Sequence, residues 1–132
     1  MRIGVLVVED DPDFSNALRE YFALDPTWGA PYLARDGAEA LALVEGGVVP
    51  ELVLLDLELP KVHGREVLSH LRADPRFRRT AVVVTGAHGE PGRERDQFLP
   101  GEVWLPKPFQ MDELATAVSL AISRSVEMVS AA

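Results

Sequence analysis

The chain has 132 residues, 47% of them hydrophobic and 26% charged, no cysteine and a formal charge of −8. That size and balance describe one globular domain with its own core and argue against a multidomain enzyme, while the lack of cysteine excludes disulfides, Cys-zinc sites, iron–sulfur clusters and thiol catalysis. Apolar runs fall far short of the ~20 residues of a spanning helix, no signal-like start precedes them, and the acidic balance opposes direct binding to nucleic acid or an anionic membrane, so a cytoplasmic protein that meets metal cations and basic protein patches is expected.

In chain order, compact apolar runs alternate with segments of helical spacing. Ile3 to Val8 is continuous and rich in β-branched residues, the mark of a strand covered on both faces. Asp11-Pro12 reads as a helix cap with proline at the first helical position, and Phe14, Ala17, Leu18, Tyr21 and Phe22 give the first helix its apolar stripe. Asp25-Pro26 ends that helix, and Pro31 to Ala34 is a short second strand whose proline marks an edge. Asp36-Gly37-Ala38-Glu39 resembles a capping box for a second helix that stops at Gly46-Gly47. Leu52 to Leu55 is a buried third strand, and Val67, Leu68 and Leu71 form the inner face of a third helix closed by Asp74-Pro75. Ala81 to Val84 is strand four. The Gly- and Pro-rich stretch from Gly86 to Glu102 leaves only about Arg93 to Leu99 for a short or distorted fourth helix. Val103 to Leu105 is strand five, and a last helix runs from about Met111 towards Val129 with Leu114, Val118, Ala121 and Ile122 inside. The expected fold is α/β, a (βα)5 doubly wound parallel sheet of flavodoxin-like type with strand order 2-1-3-4-5. The domain is expected over residues 1–123, with 124–132 the end of the last helix or the start of a linker.

In such a sheet the functional crevice lies outside the carboxyl ends of the strands, beside the point where strand order reverses. Strand one ends in Glu9-Asp10-Asp11, strand three in Asp56, strand four in Thr85-Gly86, and strand five in Lys107-Pro108. Glu9, Asp10 and Asp56 would form a like-charge cluster that a proton or a cation must relieve. Hard oxygen ligands without histidine or cysteine point to Mg²⁺, and His63, His70 and His88 are too scattered for zinc. Thr85, Gly86 and Lys107 are suited to holding phosphoryl oxygens, and Asp56, placed centrally, is the candidate carboxylate nucleophile. Asp11 reads as a helix cap, and Arg76, Arg78 and Arg79 as a solvated loop.

Val7 to Asp11, Ala34 to Leu41, Leu54 to Pro60, His63-Gly64, Thr85-Gly86 and Leu105 to Phe109, in this order and spacing, resemble the receiver domain of two-component response regulators over essentially the whole chain. The resemblance implies that Asp56 is the phosphoacceptor, Asp10 a direct metal ligand, Glu9 the acid that holds a metal-bound water, and the Glu58 backbone carbonyl a further ligand. It also implies that Thr85 and Lys107 grip the phosphoryl group, that the Lys107–Pro108 peptide is cis, and that Thr85 and Trp104 are the switch residues. The Glu58 side chain is either solvated or tunes the hydrolytic water. Three departures stand out: Trp104 where Tyr or Phe is usual, Gly86 where Ala or Ser is common, and His63 where Asp is common. The bulk of Trp104 leads us to expect an incomplete rotameric switch.

The implied function is a phosphorylation-dependent signalling switch, modified by a histidine kinase or phosphotransfer protein, that catalyses only its own phosphorylation and dephosphorylation. Its expected partners downstream are a protein target or an output domain missing from this chain, with a homodimer left open. The alternative is a receiver-like interaction module acting without phosphorylation. A magnesium phosphotransferase or topoisomerase-primase-like reading is weak, because Asp56 lacks a nearby second Asp. FMN binding would need a Ser/Thr-rich phosphate loop after strand one that the sequence does not have.

Overall fold

Val5–Val8 form β1 and lie wholly inside the molecule, because alternate residues of this strand are apolar on both faces. Successive side chains of a strand point to opposite sides, so Val5 and Val7 enter one hydrophobic cluster while Leu6 and Val8 enter another. The computed structural model describes residues 3–59, 61–86 and 102–131, the last six without their side chains. Within it follow α1 (Pro12–Ala23), β2 (Tyr32–Ala34), α2 (Gly37–Glu45), β3 (Leu52–Asp56), α3 (Gly64–Ala73), a 3₁₀ turn (Pro75–Phe77), β4 (Ala81–Gly86), β5 (Glu102–Pro106) and α4 (Met111–Ala131). The helix expected over Arg93 to Leu99 lies outside the described residues.

All five strands are parallel, as the alternation of strands and helices predicts, and they stand in the expected order 2-1-3-4-5. One face carries α1 and α4: Leu18 and Phe22 meet Leu114, Val118 and Ala121 over Val7, Leu54, Val83 and Leu105. The other face carries α2 and α3, with Ala40, Val44, Val67, Leu68 and Leu71 over Leu6, Val53, Leu55 and Val84. β2 has three residues, and its first, Tyr32, is exposed. That is the edge the proline signalled.

Two aromatic residues are more buried than spacing suggests. Trp28 is only 9% exposed, held edge-on to Phe22 at 5.2 Å, and Ile3 bridges to it ahead of β1. Phe77, inside the arginine-rich stretch read as a solvated loop, is 1% exposed. The Asp74 cap of the 3₁₀ turn directs it into the α2/α3 cluster.

At the amino ends of β4 and β5 a polar network ties the two faces together. Arg72 Nε donates to Glu102 Oε1 at 2.5 Å, with the two side chains 11% and 0% exposed. Arg72 Nη1 reaches the carbonyls of Phe77 and Thr80 at 3.5 and 3.3 Å, and Arg124 Nη1 donates to the Glu102 carbonyl at 3.2 Å. Thr80 Oγ1 donates to the Pro50 carbonyl at 2.7 Å, and Ser125 Oγ to the Arg79 carbonyl. No described helix is long and apolar enough to cross a membrane.

Candidate functional site

The carboxyl rim is built where each central strand runs out of apolar residues. β1 ends at Val8, and the Glu9 amide still pairs with the Ala34 carbonyl at 2.9 Å, which keeps Glu9 in line with the sheet and buried while Asp10 emerges into solvent. Asp11 turns away to start α1: its Oδ1 accepts from the Asp13 and Phe14 amides at 3.0 and 3.4 Å, as an N-cap does. Asp56 closes β3, in register with Thr85 on β4, and Thr85 accepts at its carbonyl from the Leu57 amide at 2.9 Å.

The oxygens of Glu9, Asp10 and Asp56 can lie within 4.8 Å of one another. Lys107 Nζ donates to both oxygens of Glu9 at 2.9 Å and to Asp56 Oδ2 at 3.0 Å. Asp56 Oδ1 accepts from the Glu58 amide at 2.8 Å. The Lys107 amide donates to the Gly86 carbonyl at 3.0 Å, and the Lys107–Pro108 peptide is cis. Burial pushes the Glu9 carboxyl from its ordinary 4.5 up to about 7, with the Asp56 charge adding to the rise and Lys107 opposing it. Lys107 is raised as well: burial works against its charge, but hydrogen bonds to Glu9 and Asp56 outweigh it. Three carboxylates against one ammonium leave surplus negative charge, and an all-oxygen donor set of this kind suits Mg²⁺.

Of the residues expected at the site, Glu9, Asp10, Asp56 and Lys107 come together directly, and Thr85 and Gly86 line the same rim through backbone pairing. The Glu58 amide faces Asp56, with its side chain exposed. Trp104 lies on β5 in register with Val84, half-buried against the α2/α3 cluster.

Other features of the site add contacts to those read from the sequence. The loop after β3 turns through Lys61, whose φ of 63° lies in the left-handed region and whose Nζ sits 3.5 Å from Asp36 Oδ2. Asp36 also caps α2 through the Glu39 amide at 2.8 Å. Two glycines let the helices close on this loop. A Cβ at Gly37 would stand 2.2 Å from the Val62 carbonyl oxygen, and one at Gly64 would stand 2.5 Å from that of Asp56. His63 caps α3, accepting from the Arg65 amide at Nδ1 over 3.1 Å. Phe14, which periodicity assigns to the core stripe of α1, places its ring centroid 4.9 Å from Lys107 Nζ. The Asp36 cap of α2 is the one the capping-box spacing announces; the other contacts have no spacing signature in the sequence.

Residues 5–119 match the response regulator receiver domain family. Among curated proteins, the chain is 34% identical over 125 residues to the transcriptional regulatory protein CpxR of Klebsiella pneumoniae, covering 92% of this chain and 50% of that one. It is 37% identical over 93 residues to the response regulator Rcp1 of Synechocystis, covering 65% and 63%. Among solved structures, the receiver domain of a Francisella response regulator superposes with a TM-score of 0.78 at 26% identity, over 94% of this chain and 99% of that one. The chemotaxis response regulator CheY4 of Vibrio cholerae gives a TM-score of 0.78 at 20% identity, over 92% and 99%, a likeness of fold. The chain spans about half the length of CpxR and of several other curated relatives it matches.

Proposed function

The chain belongs to the response regulator receiver family, and on that premise we propose that Asp56 accepts a phosphoryl group from a histidine kinase or phosphotransfer protein in a Mg²⁺-dependent reaction. The observation that supports this reading is the meeting of the Asp56 carboxylate with two further carboxylates within 4.8 Å and an ammonium at 3.0 Å. Glu9, Asp10, Asp56 and the Glu58 carbonyl would hold the ion, which when bound would offset charge on the transferring oxygens. Phosphoryl transfer asks mainly for positioning and charge stabilisation, and the chain's own groups offer both. The Glu58 amide and Lys107 orient the Asp56 carboxylate. An Asp56 oxygen bonds to phosphorus as the P–N bond of the donor breaks, and the electron pair leaves with the imidazole. Lys107 then passes from the carboxylates to a phosphoryl oxygen, joined by the Thr85 hydroxyl, and Gly86 leaves room for the backbone to approach. Hydrolysis of the acyl phosphate restores Asp56, so the domain acts only on itself.

The added charge, about −1.5 to −2, draws Thr85 inward and disturbs the β4 end, with Trp104 one strand away as the reporting residue. The readout in this proposal is altered binding to a downstream protein or an output domain, in the cytoplasm, with a homodimer as one form of it. Incubation with acetyl phosphate and Mg²⁺ should add one phosphoryl group by intact mass, and Asp56→Asn should abolish it. Stable phosphorylation of Asp56→Asn to the wild-type extent would overturn the assignment; a wild-type domain that takes no phosphoryl group from acetyl phosphate or from a histidine-kinase donor would favour a module acting without phosphorylation.

A further inference from the structure

Phe14 stands at the third position of α1 and is only half-buried. Its amide donates to the Asp11 carboxylate, so the turn that delivers Glu9 and Asp10 also fixes Phe14. Phe109 packs edge-on against its ring, with centroids 5.2 Å apart and planes at 80°. The ring lies on the Lys107 side of the rim, its centroid 4.9 Å from Nζ, inside the range over which an ammonium is attracted to an aromatic face. Lys107 therefore has three neighbours of two kinds: the carboxylates of Glu9 and Asp56, and the Phe14 ring.

These neighbours behave differently when the site is used. A cation entering among the acids competes for the charge of Glu9, and a phosphoryl group on Asp56 replaces the oxygen that Lys107 holds. The ring changes neither charge nor protonation. A lysine on a flexible four-carbon stem would otherwise turn out to solvent as its carboxylates are taken from it. We propose that Phe14 is a positioning residue for phosphoryl capture: its ring keeps the Lys107 ammonium at the mouth of the site while Lys107 exchanges carboxylate for phosphoryl oxygens. The inference rests on the reading of Asp56 as acceptor.

The test uses the full chain with Phe14→Leu, which keeps an apolar side chain without a ring, and Phe14→Tyr, which keeps the ring. In metal-free protein, the Lys107 ε-methylene proton resonances should be displaced by the ring in the wild type and in Phe14→Tyr, and should return to ordinary lysine positions in Phe14→Leu. Affinity for beryllofluoride at saturating Mg²⁺ should fall about fivefold in Phe14→Leu and stay within about twofold in Phe14→Tyr, with Mg²⁺ affinity alone unchanged because no metal-ligating oxygen is altered. Undisplaced Lys107 resonances in the wild type would overturn the inference even if Phe14→Leu failed to fold. Wild-type beryllofluoride affinity in Phe14→Leu, or an equal loss in Phe14→Tyr, would do the same. A wild type that takes up no beryllofluoride would instead bring down the acceptor reading, and this inference with it.

Discussion

The two ends of the sheet both hold buried ionic groups, yet they are built to opposite purposes. At the amino end, Glu102 faces Arg72, and Arg72 also meets the carbonyls of Phe77 and Thr80. At the carboxyl end, Glu9 and Asp56 share Lys107, with the Asp10 carboxylate within reach of both acids. The first arrangement sets a guanidinium directly against a carboxylate, and that pairing joins α3 to β5. The second carries surplus negative charge, which is a capacity for a cation and then for an anion. A buried ion pair is therefore not a functional signal in itself; the imbalance is.

The sharpest way to break the comparison is Arg72→Met, which removes the guanidinium bonded to the fully buried Glu102 side chain. Loss of one partner from a buried pair typically costs about 3–5 kcal/mol, and urea unfolding should register a loss of that order. A loss below about 1 kcal/mol would mean that the amino-end pair is as dispensable as a surface one.

The carboxyl end should show its imbalance through pH. Glu9 is raised from 4.5 to about 7, so the folded state binds the extra proton. Metal-free stability should be highest below about pH 4.5, as far as Glu9 is concerned, and fall as pH rises through about 7. The contribution is of order 3 kcal/mol across that window. Asp25, Asp36 and Asp74 have lowered values and act below it, where their stabilisation is lost as pH falls. Comparing wild type with Glu9→Gln isolates the effect: the variant should lack the decline between pH 4.5 and 7, and saturating Mg²⁺ should flatten it in the wild type. Parallel pH profiles for the two proteins would contradict the assignment.

Asp10→Ala removes an exposed carboxylate whose oxygen lies in the acidic group. It should weaken Mg²⁺ binding by about tenfold or more in isothermal titration, while leaving urea stability within about 0.5 kcal/mol. Unchanged Mg²⁺ affinity would remove Asp10 from the ligand set. The smallest effect concerns backbone rather than charge. Lys61→Gly relieves a left-handed residue in the loop after β3 and gives up a long 3.5 Å contact between the exposed Lys61 ammonium and Asp36, so a gain of up to about 1 kcal/mol is expected. A loss of stability on this change would show that the Asp36 contact outweighs the strain.

Most of the sheet was legible because its strands are buried on both sides and end abruptly in polar residues. Val8 to Glu9, Leu55 to Asp56 and Val84 to Thr85 are boundaries visible in one dimension, and strand order then brings Asp10 and Asp56 together. Asp11 was legible as a cap because capping is local. The Arg72–Glu102 pair was not, since it joins residues 30 apart and neither has an unusual neighbourhood in sequence. Phe77 was hidden by its arginine neighbours, and its burial depends on the 3₁₀ turn rather than on any periodic stripe. Phe14 was read as one more apolar position of α1, because periodicity assigns a side to a helix residue but cannot say that the side is shared with Lys107.

The tight closure at Gly37 and Gly64 has its own consequence for how this domain tolerates change. In a survey of all single substitutions, these two positions should be as intolerant as the acidic site, although neither supplies a reacting atom. Even alanine would drive a methyl group into the backbone at Val62 or Asp56, parting α2 or α3 from the loop they close on. Intolerance to substitution around this rim therefore mixes two causes, chemistry at the acids and want of space at the glycines, and only the first would be rescued by a residue of similar charge.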